Sequence, residues 1–185
     1  MATFPLHTLM SAPGGSKPFL ALARRMFGEV PNLAATLAES PSAIEAYFTL
    51  NGLFAQGELT SAERFIVLLT ASVEQECHYC VAAHKREAEQ SGLEDAVIAA
   101  LLARAPLADE RSEALRQFVV AAVRQRAQDC GTEAERLLAL GYSRAALLDV
   151  VLGVSLAVLG NYVNHIAETP LDDFIRGAQA PDAAR

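Results

Sequence analysis

Tryptophan is absent from this 185-residue chain, and aromatic residues make up only 6% of it. Runs of alternating β-branched residues, the usual mark of strands, are hard to find. Basic residues are scattered: no cluster exceeds the Arg24-Arg25 pair, and the formal net charge is -7. Phosphate contacts need concentrated positive charge, so no nucleic-acid partner is expected. The three cysteines include a single close pair, which is not a secreted disulfide framework. That usage points to a reducing, cytoplasmic setting. Residues 1–18 carry Pro5, Pro13 and Pro18 but no continuous apolar stretch, so no signal peptide is expected. The longest charge-free run, Val150 to Ala167, falls short of the roughly 20 residues that span a bilayer. It also holds Asn161, Asn164 and His165. It reads as a buried core helix, and no membrane partner is expected.

What the chain has is apolar bulk. It is 52% hydrophobic with a mean hydropathy of +0.22, enough for one sizeable core. Alanine and leucine dominate, which predicts an all-α domain over residues 18–176. Residues 1–17 read as a flexible arm jointed at Gly14-Gly15-Ser16, and residues 177–185 as a frayed tail. Pro18 opens a first helix to about Phe27, and Pro31 starts another over Asn32 to Glu39. Capping boxes are read at Ser42/Glu45, Thr60/Glu63 and Thr132/Glu135. The helix after Thr60 carries Ile66, Leu69, Thr70, Val73 and Cys77 at helical intervals and delivers the chain to the cysteines. A short helix over Glu94 to Arg104, a long one over Asp109 to Cys130, and a last one from Ser143 to about Glu168 complete the bundle. The all-round apolar character of Val150–Leu159 places that last helix centrally or at a subunit interface.

Chemistry concentrates in Glu74 to His84, which contains Cys77-His78-Tyr79-Cys80 and then His84. If the segment is one helix, about 100° per residue puts Cys77, Cys80 and His84 on one face, with Glu74 at its edge. A thiol pair, a base and a carboxylate on one face suit thiol redox chemistry. A helix starting near Cys77 would also favour a thiolate at its positive end. His84, one turn from Cys80, can take the thiol proton, and Glu74 can orient the imidazole. The same residues permit two other arrangements. Cys77, Cys80 and His84 could hold zinc with His78 or His165 as fourth ligand, although the second ligand pair usual in structural sites is missing. The cysteines could also be a buried pair of small residues. Cys130 reads as a buried hydrophobe, His78 and Glu76 as solvated, and Tyr79 as packed. Asn164 and His165 can satisfy backbone groups at a helix end. Alternatively, Asn161 and His165, one turn apart, sit beside the cysteines.

Three segments together resemble the alkyl hydroperoxidase D-like, carboxymuconolactone decarboxylase family: Thr60-Ser61-Ala62-Glu63-Arg64 with the apolar run Phe65–Val73, Cys77-His78-Tyr79-Cys80-Val81-Ala82-Ala83-His84, and Asn161-Tyr162-Val163-Asn164-His165 followed by Thr169-Pro170-Leu171-Asp172. The resemblance implies an all-α fold and a homo-oligomer, a dimer, trimer or hexamer. It implies a cofactor-free, metal-free thiol peroxidase or disulfide oxidoreductase. Cys80 would attack a hydroperoxide, Cys77 would resolve it and His84 would relay protons. The resulting Cys77–Cys80 disulfide would be reduced by an external thiol or dithiol. The relay glutamate of the antioxidant branch falls at Phe65, so Glu74 is the expected substitute; Tyr79 stands where that branch has a histidine. The alternatives are a decarboxylase or lyase acting on a small lactone acid, which would not need two thiols, and a non-enzymatic zinc module.

Overall fold

The computed structural model describes residues 4–176, and among them there are ten α-helices and no strand. The helices are α1 (Lys17–Phe27), α2 (Asn32–Leu37), α3 (Pro41–Ala55), α4 (Ser61–Glu74), α5 (His78–Gln90), α6 (Asp95–Leu102), α7 (Glu110–Arg124), α8 (Gly131–Ala139), α9 (Arg144–Ala167) and α10 (Asp173–Arg176). The all-α expectation holds.

The helix starts show which sequence signals governed folding. Thr60 and Glu63 make the predicted capping box: Thr60 Oγ1 accepts from the Glu63 N–H, and Glu63 Oε2 accepts from the Thr60 N–H. Ser143 caps α9 as expected. The box read at Ser42 is displaced, because Ser40 takes the cap and Pro41 occupies the first helical position, where its missing N–H costs nothing. Thr132 does not cap α8, which already begins at Gly131. The long helix expected to reach Cys130 stops at Arg124; Arg126, Ala127 and Asp129 then take left-handed φ values of 56–57° and turn the chain.

α4 is the axis of the bundle. Every residue from Ile66 to Val73 is buried, and the helix packs on α5, α7 and α9. One apolar core gathers around α4, α7 and α9, and a second around α1–α3 and the cysteines. α9 threads both. Gly153 lets Phe54 come close: a Cβ there would lie 2.5 Å from the Phe54 ring. By length and composition α9, with a mean hydropathy of 1.9, could cross a membrane. Here its inner face, including Val150, Leu156, Ala157, Asn161 and Asn164, is buried against its neighbours. Its outer face leaves Leu148, Val151, Tyr162 and Ile166 exposed.

The N-terminal segment expected as a loose arm is docked. Ala12 and Ser16 are buried, and Ser16 Oγ donates to the Ala38 carbonyl at 2.7 Å. His7 Nε2 lies 2.7 Å from Glu39 Oε2. Gly14-Gly15-Ser16 forms a 3-10 turn, not a joint, and Gly15 is pressed on Pro41, 3.0 Å from where its Cβ would be. The expected frayed tail, 177–185, lies outside the described residues.

Candidate active site

The cysteines are placed by a break between helices. α4 ends at Glu74, and Glu76 takes a left-handed φ of 55°. The Cys77 N–H bonds back to the Ser72 carbonyl and the Glu76 N–H to the Val73 carbonyl. These two bonds define a Schellman termination, made by a glutamate where glycine is usual. Arg104 also donates to the Val73 carbonyl, at 2.8 Å, a second bond on the same terminal acceptor. α5 then starts afresh at His78 with Cys77 as its N-cap, and Cys77 Sγ accepts from the Cys80 N–H at 3.5 Å. Both sulfurs lie at the positive end of α5, as anticipated.

The break overturns the role expected of Glu74. A single helix from 74 to 84 would put it beside the cysteine face; two helices do not. Its carboxylate is instead bound by Arg124 and by Arg104 at 3.6 Å, and is 3% exposed. The carboxylate that meets His84 is Glu87, with Oε2 3.3 Å from Nδ1. Phe65, at the family's relay position, only packs against the core.

Cys77 and Cys80 are buried and both are free thiols. Asn164, from α9, reaches both: Nδ2 is 3.1 Å from Cys80 Sγ and 3.9 Å from Cys77 Sγ. The Cys77 thiol is pulled down to about 6, chiefly by a hydrogen bond from the Cys80 thiol. The Cys80 backbone N–H, the His165 charge and Asn164 assist, against the opposing effect of burial. Cys80 moves the other way, up, because it is the donor to Cys77 and because it is buried. The pair therefore gives up one proton easily and holds the second. The first proton lost belongs to the pair, shared across the S–H···S bond.

Cys80, and not Cys77, opens into a cavity of about 80 Å³. Leu33, Phe48, Leu68, Leu156 and Phe174 supply apolar wall, and Tyr47, His84 and Glu87 line the same space. Gly160 leaves Tyr47 and Cys80 room to approach: a Cβ there would lie 3.3 Å from the Tyr47 ring and 3.8 Å from Cys80 Sγ. Tyr79 packs as expected, but its hydroxyl also ties the site together. It donates to Asp172 Oδ2 at 2.5 Å and accepts from the Leu33 N–H, while Asp172 Oδ1 accepts from the Asn32 N–H. α2, α5 and the segment before α10 are thus fixed to one another.

Of the residues proposed from sequence, Cys77 caps α5, Cys80 lies in its first turn, His84 lines the same cavity as Cys80 from mid-helix, and Glu74 does not join them. Asn161 is fully buried and bonds Ser72, not the sulfurs. His165 is exposed and acts on Cys77 only through its charge. His78 is exposed and Cys130 buried, as read. Among the described residues no three of His, Cys, Asp and Glu converge as metal ligands, so the zinc arrangement has no ligand set. Sequence reasoning missed Asn164, Glu87 and Tyr47. The three-residue step from His84 could have suggested Glu87. Nothing local pointed to Tyr47.

With this geometry in hand, the chain can be compared with known proteins. Residues 41–119, from α3 into α7 and including both cysteines, match the carboxymuconolactone decarboxylase family. That match spans α4, α5 and the Cys77–Cys80 segment. Among solved structures it is similar to a peroxidase-related protein from Ralstonia eutropha JMP134 with an alkylhydroperoxidase AhpD core, at 20% identity and a TM-score of 0.84 over 97% of each chain. A peroxidase-related protein from Silicibacter sp. TM1040 is similar at 19% identity and a TM-score of 0.81, over 95% of this chain and 93% of that one. A variant of the debrominase Bmp8, in complex with 2,3,4-tribromopyrrole, is similar at 15% identity and a TM-score of 0.80, over 96% of this chain and 95% of that one. At such identities the likeness shows the fold alone. No curated protein matches the chain.

Proposed function

We propose that the chain is a thiol peroxidase or disulfide oxidoreductase in which Cys80 meets the oxidant and Cys77 resolves it. The observation that carries this reading is a free thiol pair with one depressed pKa whose Cys80 member opens into an apolar cavity lined by His84 and Glu87. The proton shared by the two sulfurs passes to Cys77, which leaves Cys80 as the thiolate facing a hydroperoxide in the cavity. Cys80 Sγ attacks the terminal peroxide oxygen; an S–O bond forms, the O–O bond breaks, and the leaving alkoxide takes a proton to become the alcohol. Cys77 then attacks the Cys80 sulfenic acid; the S–S bond forms, the S–O bond breaks, and hydroxide leaves with the Cys77 proton as water. His84, held by Glu87, carries protons between these oxygens and solvent. Two electrons pass from the dithiol to the peroxide, and an external thiol or dithiol restores them, in keeping with a reducing, cytoplasmic setting. The exposed apolar face of α9 supports assembly with further copies of the chain. The apolar wall of the cavity suits an organic hydroperoxide.

The test is peroxide consumption with a dithiol donor. Cys80→Ser should lower turnover by about 10³-fold or more, and Cys77→Ser should leave one oxidation per chain but no recycling through the disulfide. Mass spectrometry after one equivalent of peroxide should find a two-hydrogen loss in the Cys77–Cys80 peptide. Undiminished turnover in Cys80→Ser would sink the assignment. An aryl bromide can accept the same two electrons, releasing bromide, and belongs in the assay as the second oxidant. Activity on a lactone acid that survives loss of both cysteines would favour the lyase reading.

A further inference from the structure

Tyr47 lines the cavity with the reacting sulfur and carries a hydroxyl that the proposed chemistry leaves unused. It comes from α3, across the cavity from α5. Its ring edge and Cys80 Sγ both lie within 4 Å of the spot where a side chain at Gly160 would begin. Phe48 braces the ring edge-on, with centroids 5.8 Å apart. Among the described residues its hydroxyl has no hydrogen-bond partner, in contrast to Tyr79 and Tyr142, whose hydroxyls are bound by Asp172 and Glu63. A half-buried phenol that lines the cavity beside a nucleophile, with no protein partner for its hydroxyl, is placed to donate to whatever fills that cavity.

We infer that Tyr47 is a catalytic hydrogen-bond donor to the leaving oxygen of the substrate, resting on the peroxidase reading above. As Cys80 Sγ forms its bond to the terminal oxygen, the O–O bond breaks and negative charge collects on the other oxygen. The Tyr47 O–H donates to that oxygen as the charge develops. His84 then delivers the proton that makes the free alcohol, and Tyr47 keeps its own. Its environment suits a donor that does not ionise. Burial, and next the negative charges at Cys80 and Glu87, push the phenol well above its ordinary value. The division of labour is chemical: His84 and Glu87 manage protons, whereas Tyr47 stabilises an oxyanion.

A donor of this kind matters most when the leaving group is poor. The experiment compares single-turnover oxidation of the reduced full-length protein by tert-butyl hydroperoxide, which expels an alkoxide, and by peracetic acid, which expels a carboxylate. Tyr47→Phe keeps the ring and removes only the oxygen. It should slow the first reaction about 10- to 100-fold and the second less than about 3-fold. Alkylation of the reduced thiols by iodoacetamide should proceed at the wild-type rate, since the sulfurs and their cavity are intact. Equal slowing with both oxidants, no slowing with either, or slowed alkylation would each overturn the assignment. If the wild-type protein is oxidised by neither peroxide, the peroxidase reading itself fails, a result separable from a flat leaving-group dependence.

Discussion

Glu113 on α7 and Asn164 on α9 are both polar residues buried in the bundle, yet the fold treats them differently. Glu113 is saturated. Oε2 accepts from the Leu107 N–H at 2.8 Å and from Arg116 Nε at 2.7 Å, and Oε1 accepts from Arg116 Nη2 at 2.7 Å and Gln117 Nε2 at 2.8 Å. Burial alone would push its pKa up, but these bonds prevail and hold it below the usual carboxylate range. Asn164 is half-served. Its Nδ2 faces the two sulfurs, while its buried Oδ1 has no partner, and Nδ2 of neighbouring Asn161 has none either. Unpaired buried polar atoms cost free energy. A fold that satisfies Glu113 fully, but not the residues behind the thiols, keeps hydrogen-bonding capacity where charge has to move. The comparison separates polar residues that hold the bundle together from those that serve the chemistry.

Three substitutions sharpen or break that contrast. The largest effect is expected for Glu113→Ala, which strands Arg116 and the Leu107 N–H. Urea unfolding should show a loss of about 3–5 kcal/mol, while thiol alkylation stays at the wild-type rate. The wild-type carboxylate is depressed on folding, so its contribution is complete above the ordinary carboxylate pKa and fades as pH falls through the folded value. A slower alkylation rate in this variant would blur the division between the clusters. Glu74→Gln comes next, at about 1–2 kcal/mol, because Arg104 and Arg124 keep much of their solvent contact. Turnover should change less than about twofold, since Glu74 does not reach His84; a tenfold loss would return Glu74 to the mechanism. Asn164→Leu should change stability least, within about 1 kcal/mol either way, because it removes an orphaned acceptor along with a donor. Its signature lies in the thiols. The absorbance of the thiolate at 240 nm should titrate at a higher pH than the wild-type value of about 6, and alkylation at pH 6 should slow several-fold. The reduced wild-type protein gains stability from the depressed Cys77 pKa above the thiol's unfolded value, and loses it as pH falls through about 6. Asn164→Leu should flatten that dependence. An unmoved midpoint would make Asn164 a structural residue after all.

Sequence periodicity located most of the bundle because its helices carry ordinary signals: the Thr60/Glu63 box, the Ser143 cap, and the apolar faces of α4 and α7. It placed Cys77, Cys80 and His84 together because they depend on one short helix. It misplaced Glu74 because the chain turns at Glu76, and a glutamate in a left-handed C-terminal position carries no breaker signal of the kind glycine gives. Asn164 and Tyr47 reach the site from α9 and α3, distant in sequence, and no local pattern encodes such a meeting. The docking of residues 4–17 was hidden for a similar reason: Gly15, which looks like part of a flexible joint, is there for close contact with Pro41.

The turn at Glu76 has a consequence for how this chemistry can travel. Because α5 begins anew at His78, it does not inherit the angular phase of α4. Sequence drift along α4 can repack the core without re-aiming the sulfurs. The stretch from Cys77 to His84 carries its own cap, its own first turn and its own base one turn further on. In engineering terms it is a cassette. A host scaffold has to supply an apolar wall, a carboxamide at the height of Asn164, a phenol in the place of Tyr47 and a carboxylate for His84 as Glu87 does.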